Sequence, residues 1–276
     1  KNAAIAVIPF LRWAGSKRKL LSRLTPYWGN GYDRYFEPFM GSAALFYAIS
    51  PPEAVLSDIN EELVRTFITV RDHPRAVYNR LTALTRGKRS YKALRKINPQ
   101  NLDPLKRAAR FIFLNRFCFN GLYRTNLDGV FNVPFAPSGT GDLPNWKQFY
   151  AATRALHSVT ILHSDFATTI RRKVRKGDFV YLDPPYAVEN RRVFKEYGPK
   201  TFGTEDLKRL RQILWLIHRR RAKFVLTYAA SPEARHYFRA WKKKKLFTQR
   251  NISGFAKHRR MAAELIVTNI SRVTVP

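Results

Sequence analysis

Asp183-Pro184-Pro185-Tyr186 follows directly on the apolar, β-prone run Phe179-Val180-Tyr181-Leu182. The pattern predicts a buried strand that delivers a carboxylate, two stiff prolines and an aromatic ring to one sheet edge. Successive prolines fix φ and remove both backbone donors, so the carbonyl oxygens there can accept from an exocyclic amine. Tyr186 adds a stacking face, and together these groups suit a flat, amine-bearing ring such as cytosine or adenine. Taken alone, the tetrapeptide reads equally well as a strand ending in a Pro-Pro turn with a surface Tyr.

A second constellation is Tyr35-Phe36-Glu37-Pro38-Phe39-Met40-Gly41-Ser42-Ala43-Ala44, an apolar strand that runs into small residues and then the helical pattern Leu45 to Ile49. Gly41 allows the backbone to approach a ligand closely. After the next short strand, Ala54 to Ser57, comes Asp58, whose carboxylate can accept both hydroxyls of a ribose. The glycine fingerprint of dinucleotide enzymes is incomplete, because Ala43 stands where a second glycine is expected, and no Walker-type Gly-Lys-Ser/Thr loop is present. A phosphate-free nucleoside cofactor fits this opening better.

Taken with Leu11-Arg12-Trp13-Ala14-Gly15-Ser16-Lys17, Asp58-Ile59-Asn60 and the block Phe113 to Asn126 continued by Phe131 to Phe135, these motifs resemble the DNA adenine methylase (Dam) family over nearly the whole chain. That family comprises S-adenosylmethionine-dependent N6-adenine methyltransferases. The sequence departs from its pattern at Ser16 and Ala43, where glycine is usual, and at Phe119, where Tyr is frequent. The resemblance implies that Trp13, Lys17, Phe39, Gly41, Asp58, Asp165, Phe166 and Asp183 hold S-adenosyl-L-methionine, and that Asp183, Pro184 and Tyr186 are catalytic. From spacing alone, Asp165-Phe166 reads nearly as well as a helix N-cap followed by a core Phe.

The same resemblance implies a target of 5′-GATC-3′ in double-stranded DNA. Arg124 can donate a bidentate pair to guanine, and Leu122 and Pro134 are apolar groups suited to a thymine methyl. Phe119 and Asn120 resemble the pair that fills the gap left by an extruded adenine, and Arg12 aligns with a contact to an outer guanine. Arg116, Asn126 and Asn132 read as phosphate contacts or as groups that satisfy loop backbone. Extrusion follows from the chemistry, because the amine inside a duplex is not open to in-line attack. Asp183 and the Pro184 carbonyl would each accept one N–H, concentrating electron density on the nitrogen.

These groups need elements to position them. Strand-like runs occur at Arg34–Phe36, Ala54–Ser57, Val159–His163, Phe179–Leu182, Lys223–Thr227, Leu246–Ile252 and Glu264–Ile270, the last two forming a hairpin. This is an α/β chain: a Rossmann-like methyltransferase sheet with an antiparallel edge hairpin, plus an inserted, mainly helical DNA-recognition subdomain. Helical patterns at Glu61–Val70, Arg75–Leu84 and Leu105–Phe119 precede a loop region over Asn120–Asn145. The expected division is residues 1–71 and 146–276 for the cofactor-binding catalytic domain and 72–145 for target recognition.

With 276 residues, 45% hydrophobic, the chain can bury a sizeable core. Its 51 Lys+Arg against 19 Asp+Glu, a net charge of +32, call for a polyanionic partner. Individual basic runs, Arg171-Arg172-Lys173, Arg219-Arg220-Arg221 and Lys242 to Lys245, read as solvated helix ends or loops, with phosphate tracking by some of them as the alternative. The apolar stretch Ala3 to Phe10 is too short to span a bilayer, and no secretory pattern is visible. A single cysteine, Cys118, excludes an internal disulfide and fits a core filler in a reducing compartment. The six histidines lack metal-ligand spacing. The expectation is a cytoplasmic, metal-independent enzyme, monomeric on nucleoid DNA; methylation of cytosine N4 or of RNA, and a catalytically silent DNA-binding relative, are the alternatives.

Overall fold

In a computed structural model, which describes residues 7–29, 31–126, 129–136, 142–186, 202–249 and 261–271, the β-prone runs become seven strands of one sheet. They are β1 (Tyr35–Glu37), β2 (Ala54–Asp58), β3 (Val159–His163), β4 (Phe179–Leu182), β5 (Lys223–Ala229), β6 (Lys242–Gln249) and β7 (Met261–Thr268). Their order is β3-β2-β1-β4-β5-β7-β6. The first five pair in parallel, and β7 runs antiparallel to both β5 and β6. Strand order reverses between β1 and β4, and in such sheets the crevice at that reversal, outside the carboxyl ends, is where ligands settle.

Helices cover both faces, so the central strands read as continuous apolar runs. On one face, Tyr35, Leu56, Phe179, Tyr181 and Val225 join a core that includes Phe67, Val77, Leu81, Tyr91 and Phe113. Their alternating neighbours Phe36, Val55, Val180, Leu182 and Leu226 meet Ile170, Leu210, Leu214 and Phe238 on the other. The helices of the first face are α1 (Leu21–Leu24), α2 (Ala44–Ile49), α3 (Glu61–Asp72), α4 (Pro74–Thr82), α5 (Lys88–Lys96), α6 (Pro104–Phe117) and α7 (Trp146–Arg154). The second face carries α8 (Phe166–Lys173), α9 (Thr204–Arg219) and α10 (Pro232–Tyr237). Local chemistry sets their starts: Asn60 and Asp103 accept from Leu63 N and Lys106 N, and Asn145 with Gln148 closes a capping box.

The segment between α3 and β3 does not build a separate core, since most of its buried apolar residues belong to the same cluster as Tyr35, Leu56 and Phe179 of the sheet. Its helix α5 escapes the periodicity reading because Tyr91 is the one buried residue of its nine. Buried Arg110 on α6 ties it down, donating to the carbonyls of Leu94 and Arg95 at its C-terminal end at 2.8 and 3.2 Å.

The edge hairpin corrects one sequence reading. β6 starts at Lys242, four residues earlier than expected, so Lys242 to Lys245 form a strand and not a helix end or loop; Ile252 lies outside the described residues. An outermost strand leaves its side chains room to reach water, and lysines there discourage pairing with a second chain. Lys243 Nζ also donates to the carbonyls of Phe238, Arg239 and Trp241 at 3.0–3.1 Å. The other two runs are helix ends: Arg171, Arg172 and Lys173 occupy the exposed last turn of α8, and Arg220 donates to the carbonyls of Ile170, Arg171 and Val174. Among the described residues, no helix is long and apolar enough to cross a membrane.

Candidate active site

Asp183 leaves the end of β4 at the strand-order reversal, and its carboxylate is held from two sides. Lys17 Nζ, from the N-terminal motif, lies 2.8 Å from Oδ1. Thr227 Oγ1, from the neighbouring strand β5, donates to the same oxygen at 2.7 Å. Among the described residues, Oδ2 receives no hydrogen bond. Lys17 is 8% exposed, donates to the Gly15 carbonyl at 3.0 Å and stands 3.9 Å from Glu264 Oε2 on β7. Burial opposes the charge on Lys17, but Asp183 foremost, with Tyr186 and Glu264, outweighs it and raises the pKa above the usual lysine value.

Beside this carboxylate, Pro184 is buried and Tyr186 is partly exposed. The Tyr186 ring packs edge-on against Tyr228 at 5.2 Å, with the Lys17 ammonium 5.5 Å from its centroid. The Tyr186 ring is thereby held between Tyr228 and the Lys17 ammonium.

At the ends of β1 and β2 lies the second constellation. Asp58 accepts from Gly41 N at 3.2 Å and from Asn60 N at 3.0 Å. These bonds leave lone-pair capacity on a carboxylate that can take about four. Burial raises the Asp58 pKa to about 6, although the backbone N–H groups of Asn60, Gly41 and Ile59 pull it down. Gly41 has φ +45°, and Ala43, in the glycine's expected place, also sits in the left-handed region at φ +53°. Trp13 lies on Gly41 and stacks on Tyr123 at 5.9 Å.

Phe39 stacks on Phe166 with centroids 5.0 Å apart. Asp165 is the N-cap of α8, accepting from Ala167 N and Thr168 N, and pairs with Arg209 at 2.6 Å. The structure therefore places Asp165-Phe166 as a cap and a core ring packed against Phe39. Ser16 Oγ is buried with no hydrogen-bond partner among the described residues.

Three residues here carry signals that motif reading passes over. Glu37, at the end of β1, is 3% exposed and accepts from Tyr35 Oη at 2.8 Å. Burial pushes its pKa up to about 8, opposed by the Tyr35 bond and reinforced by Asp183. Ile59, directly after Asp58, is 62% exposed, an apolar face that a cleft ligand can cover. Thr227 is buried, and only the register Leu182↔Leu226 brings it beside Asp183.

The loop after α6 is built against the N-terminal motif. Asn115 accepts from Arg12 N at 2.8 Å and donates to Arg12 O, which fixes the backbone there. Gly121 has φ +64°, and a Cβ on it would stand 3.0 Å from Arg12 Cβ. The glycine's close approach is therefore made to Arg12 within the protein. Isolated bridges Cys118↔Phe135 and Thr125↔Phe131 hold the loop as a narrow antiparallel pair.

On that pair, Phe119, Asn120, Leu122, Arg124 and Asn132 are partly exposed, and Pro134 and Asn126 are exposed. Asn120 has φ +54°. Arg124 Nε donates to Asn132 Oδ1 at 2.7 Å, and Asn126 Oδ1 accepts from Val130 N at 2.8 Å. Both asparagine side-chain oxygens are therefore engaged inside the loop. Arg116 donates to the Asp142 carbonyl, while its Nε is buried with no hydrogen-bond partner among the described residues. Burial, then Arg12 and Arg18, lower its pKa to about 10.

Comparison with known families fits this geometry. Residues 13–252 match the model of the D12 class N6 adenine-specific DNA methyltransferase family. The chain belongs to that family. It is 31% identical over 270 residues to the Type II methyltransferase M1.LlaDCHI of Lactococcus lactis subsp. cremoris, covering 95% of each chain. It is 33% identical over 263 residues to a DNA N-6-adenine-methyltransferase of Escherichia phage P1, which covers 92% of this chain and 34% of that one. A DNA adenine methylase of Escherichia coli (strain K12) is 28% identical, with 93% of each chain covered. This D12 class methyltransferase is an adenine-specific DNA methyltransferase, with DNA as its substrate.

Proposed function

We propose that this enzyme uses S-adenosylmethionine to methylate N6 of an adenine extruded from duplex DNA, in 5′-GATC-3′. The observation that carries the reading is Asp183: Oδ1 is held by Lys17 and Thr227, which leaves Oδ2 without a hydrogen bond among the described residues, in the segment that continues into Pro184 and Tyr186. Oδ2 and the Pro184 carbonyl each accept one N–H of the amine, drawing density onto nitrogen, while Tyr186 stacks on the base. Oδ2 is then placed to take the proton that the amine sheds.

The cleft suits a nucleoside without phosphate. Asp58 retains lone pairs for the ribose hydroxyls, Ile59 and the Phe39–Phe166 pair offer apolar faces, and the buried Ser16 hydroxyl lacks a protein partner among the described residues. Trp13, Lys17, Gly41 and Asp165 complete that wall. When bound, S-adenosylmethionine supplies an electrophilic sulfonium methyl group.

In this reading, residues 72–145 recognise DNA, and 1–71 with 146–276 bind cofactor and carry out transfer. Arg124 reads a guanine with its guanidinium steadied by Asn132, Leu122 and Pro134 meet a thymine methyl, and Phe119 with Asn120 fills the vacated stack. Arg12 approaches an outer guanine. Arg116 neutralises phosphate; any phosphate contact by Asn126 or Asn132 comes from their amide nitrogens. The enzyme acts as a monomer, without a metal, in the cytoplasm.

Mapping the modified bases in DNA incubated with protein and S-adenosylmethionine tests this. N6-methyladenine confined to GATC is the expected result. Methylation at cytosine N4, or adenine methylation in unrelated sequences, would contradict the assigned chemistry or the assigned target respectively.

A further inference from the structure

We infer that Thr227 and Tyr181 are positioning residues for methyl transfer, forming a buried hydroxyl relay that fixes which Asp183 oxygen meets the substrate amine. The inference rests on the proposed role of Asp183 as that acceptor.

Tyr181 Oη lies 3.0 Å from Thr227 Oγ1, which lies 2.7 Å from Asp183 Oδ1. Both residues are buried, Thr227 fully and Tyr181 to 2% exposure, so neither hydroxyl can turn to water. Thr227 has one proton, and three acceptors stand within reach: Asp183 Oδ1 at 2.7 Å, the Tyr181 hydroxyl oxygen at 3.0 Å and the Leu182 carbonyl at 3.4 Å. The shortest bond, to the charged oxygen, wins. With that proton committed, Tyr181 must donate to Thr227 Oγ1, and the relay acquires one direction, Tyr181 to Thr227 to Asp183.

Lys17 alone cannot set the carboxylate. Its ammonium sits on a flexible four-carbon stem and is shared with the Gly15 carbonyl and Glu264. Thr227 is β-branched and sits on a strand paired on both sides, with β4 through Leu182↔Leu226 and with β7 through Thr227↔Ile266. A rigid donor against Oδ1 stops rotation of the carboxylate and keeps Oδ2 for the amine. Hydrogen bonds that orient the carboxylates of metal sites change activity by about 10- to 100-fold, and an effect of that size is expected for this carboxylate.

The test uses the full chain with Thr227→Val, which keeps the shape and removes the hydroxyl, Thr227→Ser, which restores it, and Tyr181→Phe. The readouts are single-turnover methyl transfer and, separately, affinities for cofactor and DNA. Thr227→Val is expected to slow transfer about 10- to 100-fold with both affinities unchanged, Thr227→Ser to recover most of the rate, and Tyr181→Phe to show a smaller loss. A Val variant that transfers at the wild-type rate, a loss carried wholly by affinity, or a Ser variant as slow as Val would overturn the relay. If Thr227→Val fails to fold, Tyr181→Phe decides, and wild-type transfer by it is the overturning result. An Asp183→Ala control separates the two levels: transfer retained there rejects the role of Asp183 itself, whereas a dead control beside an unimpaired Val variant rejects the relay alone.

Discussion

The indole of Trp13 lies directly on Gly41: a Cβ at position 41 would stand 2.8 Å from Trp13 Cδ1 and 3.0 Å from Nε1, and Gly41 holds φ at +45°. The glycine is required twice, by the ring above it and by the left-handed backbone that lets its N–H reach Asp58. Gly41→Ala is expected to destabilise the fold by about 1–2 kcal/mol from the backbone alone and to weaken cofactor binding. Denaturant unfolding and a cofactor titration check it; unchanged affinity would separate the loop from the cofactor.

Glu37 makes stability depend on pH. Its folded pKa of about 8 lies above the ordinary 4.5, so the folded state keeps a proton that the unfolded chain loses first. The resulting contribution is fully present below pH 4.5 and is lost as pH rises through 8. Glu37→Gln, which can still accept from Tyr35, removes that loss. The variant is expected to match wild type near pH 4.5 and to exceed it above pH 8 by roughly a few kcal/mol. Urea unfolding at both pH values is the measurement, and equal stabilities at pH 8.5 would refute a buried, protonated Glu37.

Arg124 and Asn132 should act as a pair. If the Arg124 fork reads guanine, Arg124→Ala costs about 1–3 kcal/mol on GATC and little on duplexes with the outer base pair changed. Asn132→Ala is expected to relax the same position more weakly, because it loosens the guanidinium without removing it. Methylation rates on cognate and single-substituted duplexes distinguish this from a phosphate clamp, which would lower all of them alike.

The net charge of +32 implies tight non-specific binding with steep salt dependence. Log affinity for a random duplex is expected to fall against log salt with a slope of about −0.9 per phosphate neutralised. A flat titration between low and physiological salt would show that the charge serves something other than DNA.

Much of the sheet was legible because its central strands are continuous apolar runs, as Phe179 to Leu182 shows, and the tetrapeptide Asp183 to Tyr186 adjoins one of them. Lys242 to Lys245 hid a strand, since a lysine run carries no apolar alternation when the strand lies at the edge. Ala43 stands in a left-handed conformation that composition attributes to glycine, at a cost of about 1–2 kcal/mol. Thr227 and Asn115 were illegible for another reason. Each matters through a partner distant in sequence, Asp183 and Arg12, and only strand register or helix packing brings the pairs together.

Single-turnover methyl transfer by Asp183→Ala, with N6-methyladenine quantified in the DNA, tests the central claim most directly. Loss of this oriented acceptor is expected to slow transfer by a factor of about 10² to 10³ while duplex binding stays largely intact. Transfer at near wild-type rate would contradict the assignment of Asp183 as the group that activates the adenine amine.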